Sequence, residues 1–224
     1  QGRDVYIAEG CIHCHSQYVR EQVPLEVLNW GPATPLAESL AGSPPLFGTR
    51  RQGPDLARVG NRRSPEWNRL HLLSPQSISP GSRMPAYAYL FADGDTRGPA
   101  LLAYLTSLGA GTESERHRQI TDWTPSLTTA LPPPQAAILF QRLCQHCHGI
   151  SGKGDGSMVS HLALRPPNWE SDPWRHLNHD SDREAELCRI IKFGLPGAAM
   201  AGHEYLTDAE VVGLARYVRT LHKP

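Results

Sequence analysis

At 224 residues the chain has room for one large domain or two small ones, and 22 Lys+Arg against 22 Asp+Glu leave no net charge, which excludes a strongly basic nucleic-acid binder. Hydrophobic residues make up 39% and aromatic ones 7%, with 20 Gly and 20 Pro, so something other than side chains is expected to help fill the interior. No segment approaches the roughly 20 apolar residues that span a bilayer, so the chain is expected to be soluble, with any signal peptide or anchor already removed before Gln1.

Along the chain, Gly2 to Glu9 reads as a helix leading into Cys11-Ile12-His13-Cys14-His15. The Gly/Pro-rich stretch from Val23 to Gly53 reads as a long loop, which is costly unless it has something to pack on. Ser64-Pro65-Glu66 is an N-cap followed by proline at the first helical position, predicting a helix through Trp67, Leu70 and Leu73. Met84 follows in a Gly-Ser-Arg-Met-Pro loop, just before a closing helix from Gly94 to Leu108 with Leu101, Leu102 and Leu105 at helical spacing. Gly109 to Pro134, rich in Thr, Ser and charge and ending in three prolines, reads as a linker.

The second half repeats the plan. Gln135 to Leu143 leads into Cys144-Gln145-His146-Cys147-His148, and Gly152 to Trp174 is a second long loop. Two capping boxes follow, Ser181 to Glu184 and Thr207 to Glu210, with Met200 in the loop between them. The last box opens a closing helix whose Val211, Leu214, Ala215, Val218 and Leu221 fall on one face. The expected architecture is all-α: a first domain over 1–110, a linker over 111–134 and a second domain over 135–224, each a few helices and long loops around a cofactor.

Five cysteines fall into two close pairs and a single, Cys188. Both pairs read C-x-x-C-H, the attachment signature of c-type haem. Two thiols one turn apart reach the two vinyl groups on one porphyrin edge, and the adjacent imidazole then points at the iron. The residues therefore predict two covalent haems c, one on Cys11 and Cys14 with His15 as iron ligand, one on Cys144 and Cys147 with His148. The competing readings of such pairs are a zinc site or a thioredoxin-like dithiol. Zinc leaves the histidine after each second cysteine unexplained, and the dithiol lacks a βαβ pattern.

There are three methionines. Met84 and Met200 share a placement just before the closing helix of each half, which marks them as the sixth ligands. A thioether is soft and neutral, favours ferrous iron and suits electron transfer. Met158 is read as packing, His13 and His146 as exposed rather than ligands, and Cys188 as a buried small hydrophobe whose sharper alternative is a thiolate ligand; His71 and His203 are the less favoured alternatives to the two methionines.

With these motifs placed, both halves resemble class I cytochromes c. The first is similar to the monohaem subunit of cbb3-type cytochrome c oxidases, through Gly10-Cys11 to Gln17, the run Gly53-Pro54-Asp55-Leu56-Ala57-Arg58-Val59-Gly60, Trp67, His71-Leu72 and Met84-Pro85-Ala86-Tyr87. The second resembles a generic class I module over residues 135 to 222. That family subunit carries a transmembrane helix before this point and no second haem module. The resemblance implies that the carbonyls of Pro54 and Pro167 accept from the two proximal imidazoles and that Arg62 binds a haem propionate. It also implies a periplasmic location, or the periplasm-facing part of a membrane-anchored protein, with redox protein partners: a respiratory donor and a terminal oxidase or reductase. The expected activity is single-electron relay. The rival is a dihaem enzyme with one open haem, peroxidase-like or thiosulfate-oxidising, and a third reading is the soluble piece of a larger membrane complex.

Overall fold

The computed structural model describes residues 1–48, 50–174, 176–177 and 183–223. Among them the helices in chain order are α1 (Gly2–Ala8), α2 (Pro24–Trp30), α3 (Leu36–Leu40), α4 (Pro65–Leu73), α5 (Pro75–Ile78), α6 (Arg97–Ser107), α7 (Glu113–Asp122), α8 (Pro133–Leu143), α9 (Gln145–His148), α10 (Arg183–Phe193) and α11 (Asp208–Leu221). No strand is present among the described residues; Gly194 and Ala201 form an isolated antiparallel bridge. The protein is all-α, as its sequence predicts. Two compact units divide the chain: Gln1–Leu73 with Met84–Asp122, and Ser74–Arg83 with Trp123–Pro224.

In the first unit α1 lies against α6, and the pairing is carried by Val5 and Tyr6 on one side and Leu101 and Leu105 on the other, all buried. The Tyr6 and Tyr104 rings meet edge-on at 5.8 Å. Leu72 from α4 and Leu90 from the turn Ala88–Phe91 complete the same core, and Cys11 stands in it. Each such buried Leu or Val is worth roughly 1.5–3 kcal/mol, which is how short helices of marginal propensity persist. The start of α4 is as predicted: Ser64 Oγ accepts from the Trp67 N–H at 3.1 Å.

The second unit packs α11 against α8 and α10. Val211, Val212, Leu214, Ala215 and Val218 line the buried face of α11, and Phe140, Trp169, Leu187 and Cys188 face them in one cluster. The predicted capping box at Thr207 is formed, with Thr207 Oγ1 accepting from Glu210 N at 3.3 Å and Glu210 Oε2 accepting from Thr207 N at 2.8 Å. Thr207→Ala is expected to cost about 1 kcal/mol, read as a lower unfolding midpoint of this unit; an unchanged midpoint would remove the box from the stability of α11. Residues 181 and 182, the start of the other predicted box, lie outside the described residues.

Two sequence expectations need correction. The stretch from Val23 to Gly53 is not one loop, since it holds α2 and α3. What fixes it is a buried carboxylate: Glu26, 5% exposed, accepts from Arg20 Nε at 2.8 Å and is also gripped by Arg51. The segment 111–134 is not a free linker either. It contains α7, which belongs to the first unit through Arg116, buried, and through Gln119, whose Nε2 donates to the carbonyls of Val27 and Leu28. From Trp123 onward the chain belongs to the second unit, where Trp123 meets Phe193 edge-on at 5.4 Å and Leu131 N donates to Ala209 O. The polar contacts that dock α7 carry no hydrophobic periodicity, so composition alone read it as linker.

Candidate functional site

In the first unit the chain leaves α1 through Gly10, in a left-handed conformation with φ 76°, and enters a tight 3-10 turn over Cys11–His13. Cys14 N and His15 N both donate to Cys11 O, which puts the two cysteines and His15 on one turn, as the attachment chemistry requires. A second segment closes over it. Gln52 N and Gly53 N donate to Cys14 O, Leu56 N donates to Ser16 O, and the buried Asp55 carboxylate accepts from Ser16 Oγ (2.6 Å), Tyr18 N (2.7 Å) and Ala57 N (2.8 Å). This zipper brings the Pro54 carbonyl to 2.8 Å from His15 Nδ1, where the ring N–H donates, and leaves Nε2 for a metal. Gly53 is required by the contact: a Cβ there would overlap the His15 ring.

Burial holds the His15 pKa below the usual imidazole value, against the opposing pull of the Pro54 carbonyl and Asp55, which favours the neutral ring that a metal requires. Burial likewise pushes the Cys11 thiol up to about 11. Met84 is half-buried and packs against the cluster that contains Cys11, Val59, Leu72 and Tyr87. Arg62 is buried, with Nη1 donating to Asp55 O at 3.3 Å, next to the segment that carries Pro54.

In the second unit α8 runs into α9, so that Cys144 N donates to Phe140 O and His148 N to Cys144 O. Its methionine arrives from a different part of the chain. Past α10 the backbone reverses at Gly194 (φ 78°), Leu195 N donates to Met200 O, and the bridge between Gly194 and Ala201 holds the loop. Met200 Sδ then lies 3.4 Å from His148 Nε2, two residues 52 apart in sequence. Burial pushes the His148 pKa down to about 4, with His203 adding to the shift, and burial pushes the Cys144 thiol up to about 12.

Two expectations fail in this unit. The carbonyl of Pro167 does not receive the proximal imidazole: Nδ1 of His148 is shielded and has no hydrogen-bond partner among the described residues. The ring instead stacks on Trp169, centroids 4.6 Å apart and planes at 20°. Trp169 N donates to Gly152 O, and this pairing of the loop's two ends sets the indole over the imidazole. Nothing in the spacing of cysteine, histidine and proline singles out Trp169. Nor is His146 exposed; it is half-buried, whereas His13 is exposed as expected. Met158 and Cys188 are buried, in keeping with packing roles.

His71 on α4 is a third imidazole of note in the first unit. It stacks on Trp67 at 4.6 Å, and its pKa is pushed down to about 4 by burial first and then by His15 and Arg63. An unfolded imidazole titrates near 6.5, so its contribution is complete above that pH and is lost as pH falls from 6.5 toward 4, with a ceiling of roughly 3 kcal/mol. Replacing His71 by Gln is expected to flatten that limb of the acid-unfolding curve. Identical slopes in the two proteins would contradict the assignment.

These residues fit a covalent haem in each unit: two cysteines and a histidine on one turn, a neutral imidazole with Nε2 available, a methionine in the same unit, and an apolar cluster beside the thiols. Among the described residues no group of three or more His, Cys, Asp and Glu side chains is placed to hold a bare metal ion. Also among them, no helix is long and apolar enough to cross a membrane.

Comparison with known proteins bears on the same two segments. Residues 1–97 match the family described as cytochrome c oxidase, mono-heme subunit/FixO, and residues 135–222 match the cytochrome c family. No curated protein matches. Among solved structures, a Kuenenia stuttgartiensis reducing HAO-like protein complex, Kustc0457/Kustc0458, aligns over 99% of this chain and 96% of its own at 17% identity, with a TM-score of 0.36. The chain thus holds two tandem cytochrome c segments, residues 1–97 matching the mono-haem oxidase subunit family and residues 135–222 the cytochrome c family, and such segments imply an electron-transfer haem protein.

Proposed function

We propose that the protein is a dihaem electron relay of a respiratory chain. One haem c is held by Cys11, Cys14, His15 and Met84, the other by Cys144, Cys147, His148 and Met200. The observation that carries this reading is the approach of His148 Nε2 and Met200 Sδ to 3.4 Å, which brings a histidine and a thioether 52 residues apart in sequence together at one half-buried place. His15 with Met84, and His148 with Met200, would ligate the iron of each haem from protein side chains and would leave no position for substrate. What remains is outer-sphere transfer, in which a donor loses one electron, the site gains it, and no bond is made or broken. Pro54 orients the first imidazole, and Arg62, already buried beside that loop, is suited to neutralise a propionate.

The donor belongs to the respiratory chain and the acceptor is a terminal oxidase or reductase; the match of residues 1–97 to an oxidase subunit family supports this. Because haem c is attached on the outer side of the cytoplasmic membrane, the protein works in the periplasm or faces it, within or against a membrane redox complex. The rival enzymatic reading gains nothing from Cys188, which is fully buried within the second core between Leu187 and Ile191.

Mass measurement of the exported protein, with Cys11→Ala/Cys14→Ala and Cys144→Ala/Cys147→Ala variants alongside, tests the reading. The expected result is two covalent haems in the parent and one in each variant. A parent carrying a single haem would overturn it.

A further inference from the structure

The two proximal histidines are held by different means. In the first unit the His15 N–H donates to Pro54 O at 2.8 Å, and that carbonyl is aimed by the zipper in which Asp55 bridges Ser16, Tyr18 and Ala57. In the second unit the His148 ring lies on the Trp169 indole at 4.6 Å, and its Nδ1 has no acceptor among the described residues. Trp169 is itself immobilised. It is 7% exposed, packs against Phe140 and Trp174, and presses on Gly152, where a Cβ would overlap the indole.

We propose that this asymmetry sets the two iron sites at unequal potentials, the second above the first, with Pro54 and Trp169 as the positioning residues responsible. An imidazole whose N–H is donated to a carbonyl carries more negative charge and is the stronger donor through Nε2, which favours ferric iron and lowers the potential. An imidazole stacked on indole, with no acceptor, is the weaker donor. The first unit buries Arg58, Arg62 and Arg116 with Glu26 and Asp55, and the second buries Lys192 with Glu204, so buried charge of both signs is present in each. The setting of the proximal imidazole is the difference that acts on the iron through its own ligand. It makes the first unit the one that gives up its electron first and the second the one that retains it.

The inference rests on His/Met ligation in both units, and one experiment separates the two claims. In a ferrous low-spin haem the ring current moves the methyl signal of an axial methionine far upfield. The whole holoprotein is labelled at the methionine methyl groups, each upfield signal is assigned by its loss in Met84→Ala or Met200→Ala, and the protein is oxidised stepwise. The Met84 signal is expected to vanish first and the Met200 signal last. The reverse order, or loss in step, would overturn the inference. Absence of upfield methyl signals would overturn the ligation beneath it instead. Trp169→Leu is expected to narrow the interval between the two losses and Trp169→Phe, which keeps a ring over His148, to restore it. An interval unchanged in Trp169→Leu would remove Trp169 from the account.

Discussion

Met200→Ala is expected to lower the midpoint potential of the second haem and to open its iron to external ligands, taking carbon monoxide uptake by the reduced protein from none to about one per chain. The thioether is the group facing His148, at 3.4 Å, and it reaches that place through the hydrogen bond from Leu195 N to Met200 O and the bridge at Gly194. Neither contact uses the Met200 side chain, so the loop keeps its path in the variant. Covalent attachment through Cys144 and Cys147 does not depend on the sixth ligand, so two haems per chain remain. Optical titration with carbon monoxide reads the result. A variant that retains the parent ferric spectrum and takes up no carbon monoxide would show that Met200 is not a ligand.

Phe140→Ala is the most damaging single change expected in the packing of the second unit. The ring is fully buried, meets Tyr217 of α11 at 5.3 Å and lies 6.2 Å from Trp169, the indole on which His148 rests. Removing it leaves a cavity where α8 supports both α11 and the proximal side of the site. The expected loss is roughly 3–5 kcal/mol, measured by denaturant unfolding followed at tryptophan and haem signals of the second unit. The first unit has its own core of Tyr6, Leu90, Leu101 and Leu105, so its transition is expected to stay in place. Two transitions are therefore the proper description of unfolding, and a single midpoint for the whole chain would be misleading. A loss below about 1 kcal/mol would contradict the packing described here.

What could be read from the sequence is what short-range spacing encodes. Two thiols and a histidine within one turn, Ser64 ahead of Pro65, and Thr207 three residues before Glu210 are local patterns, and the structure shows each as a turn or a capped helix. The pairing of Met200 with His148 is not local, but three methionines in the chain left little choice, and the structure brings those two together. Local patterns failed where a polar contact does the work of a hydrophobic one. The helix α7 is anchored by Gln119 on two carbonyls, and α2 by one buried glutamate between two arginines, and neither leaves an apolar period to detect. The second proximal site failed for another reason. Placing a proline after the motif says where a carbonyl stands in the chain and not where it points, and here Trp169 occupies the face of the imidazole while Pro167 does not receive its N–H.

That difference has a consequence for engineering either site. Gly53 admits no side chain against His15, so Gly53→Ala is expected to disturb the first haem alone, seen as a shift of one of two potentials with the other unchanged. Equal shifts in both would mean that the two sites are not independently built.

Carbon monoxide binding to the fully reduced holoprotein, read optically against a count of covalent haem per chain, distinguishes closed haems from an open one. Two haems and no uptake are the result expected of a relay in which a histidine and a methionine close each iron. Uptake at either haem would contradict it and would make an open catalytic site the better description of that unit.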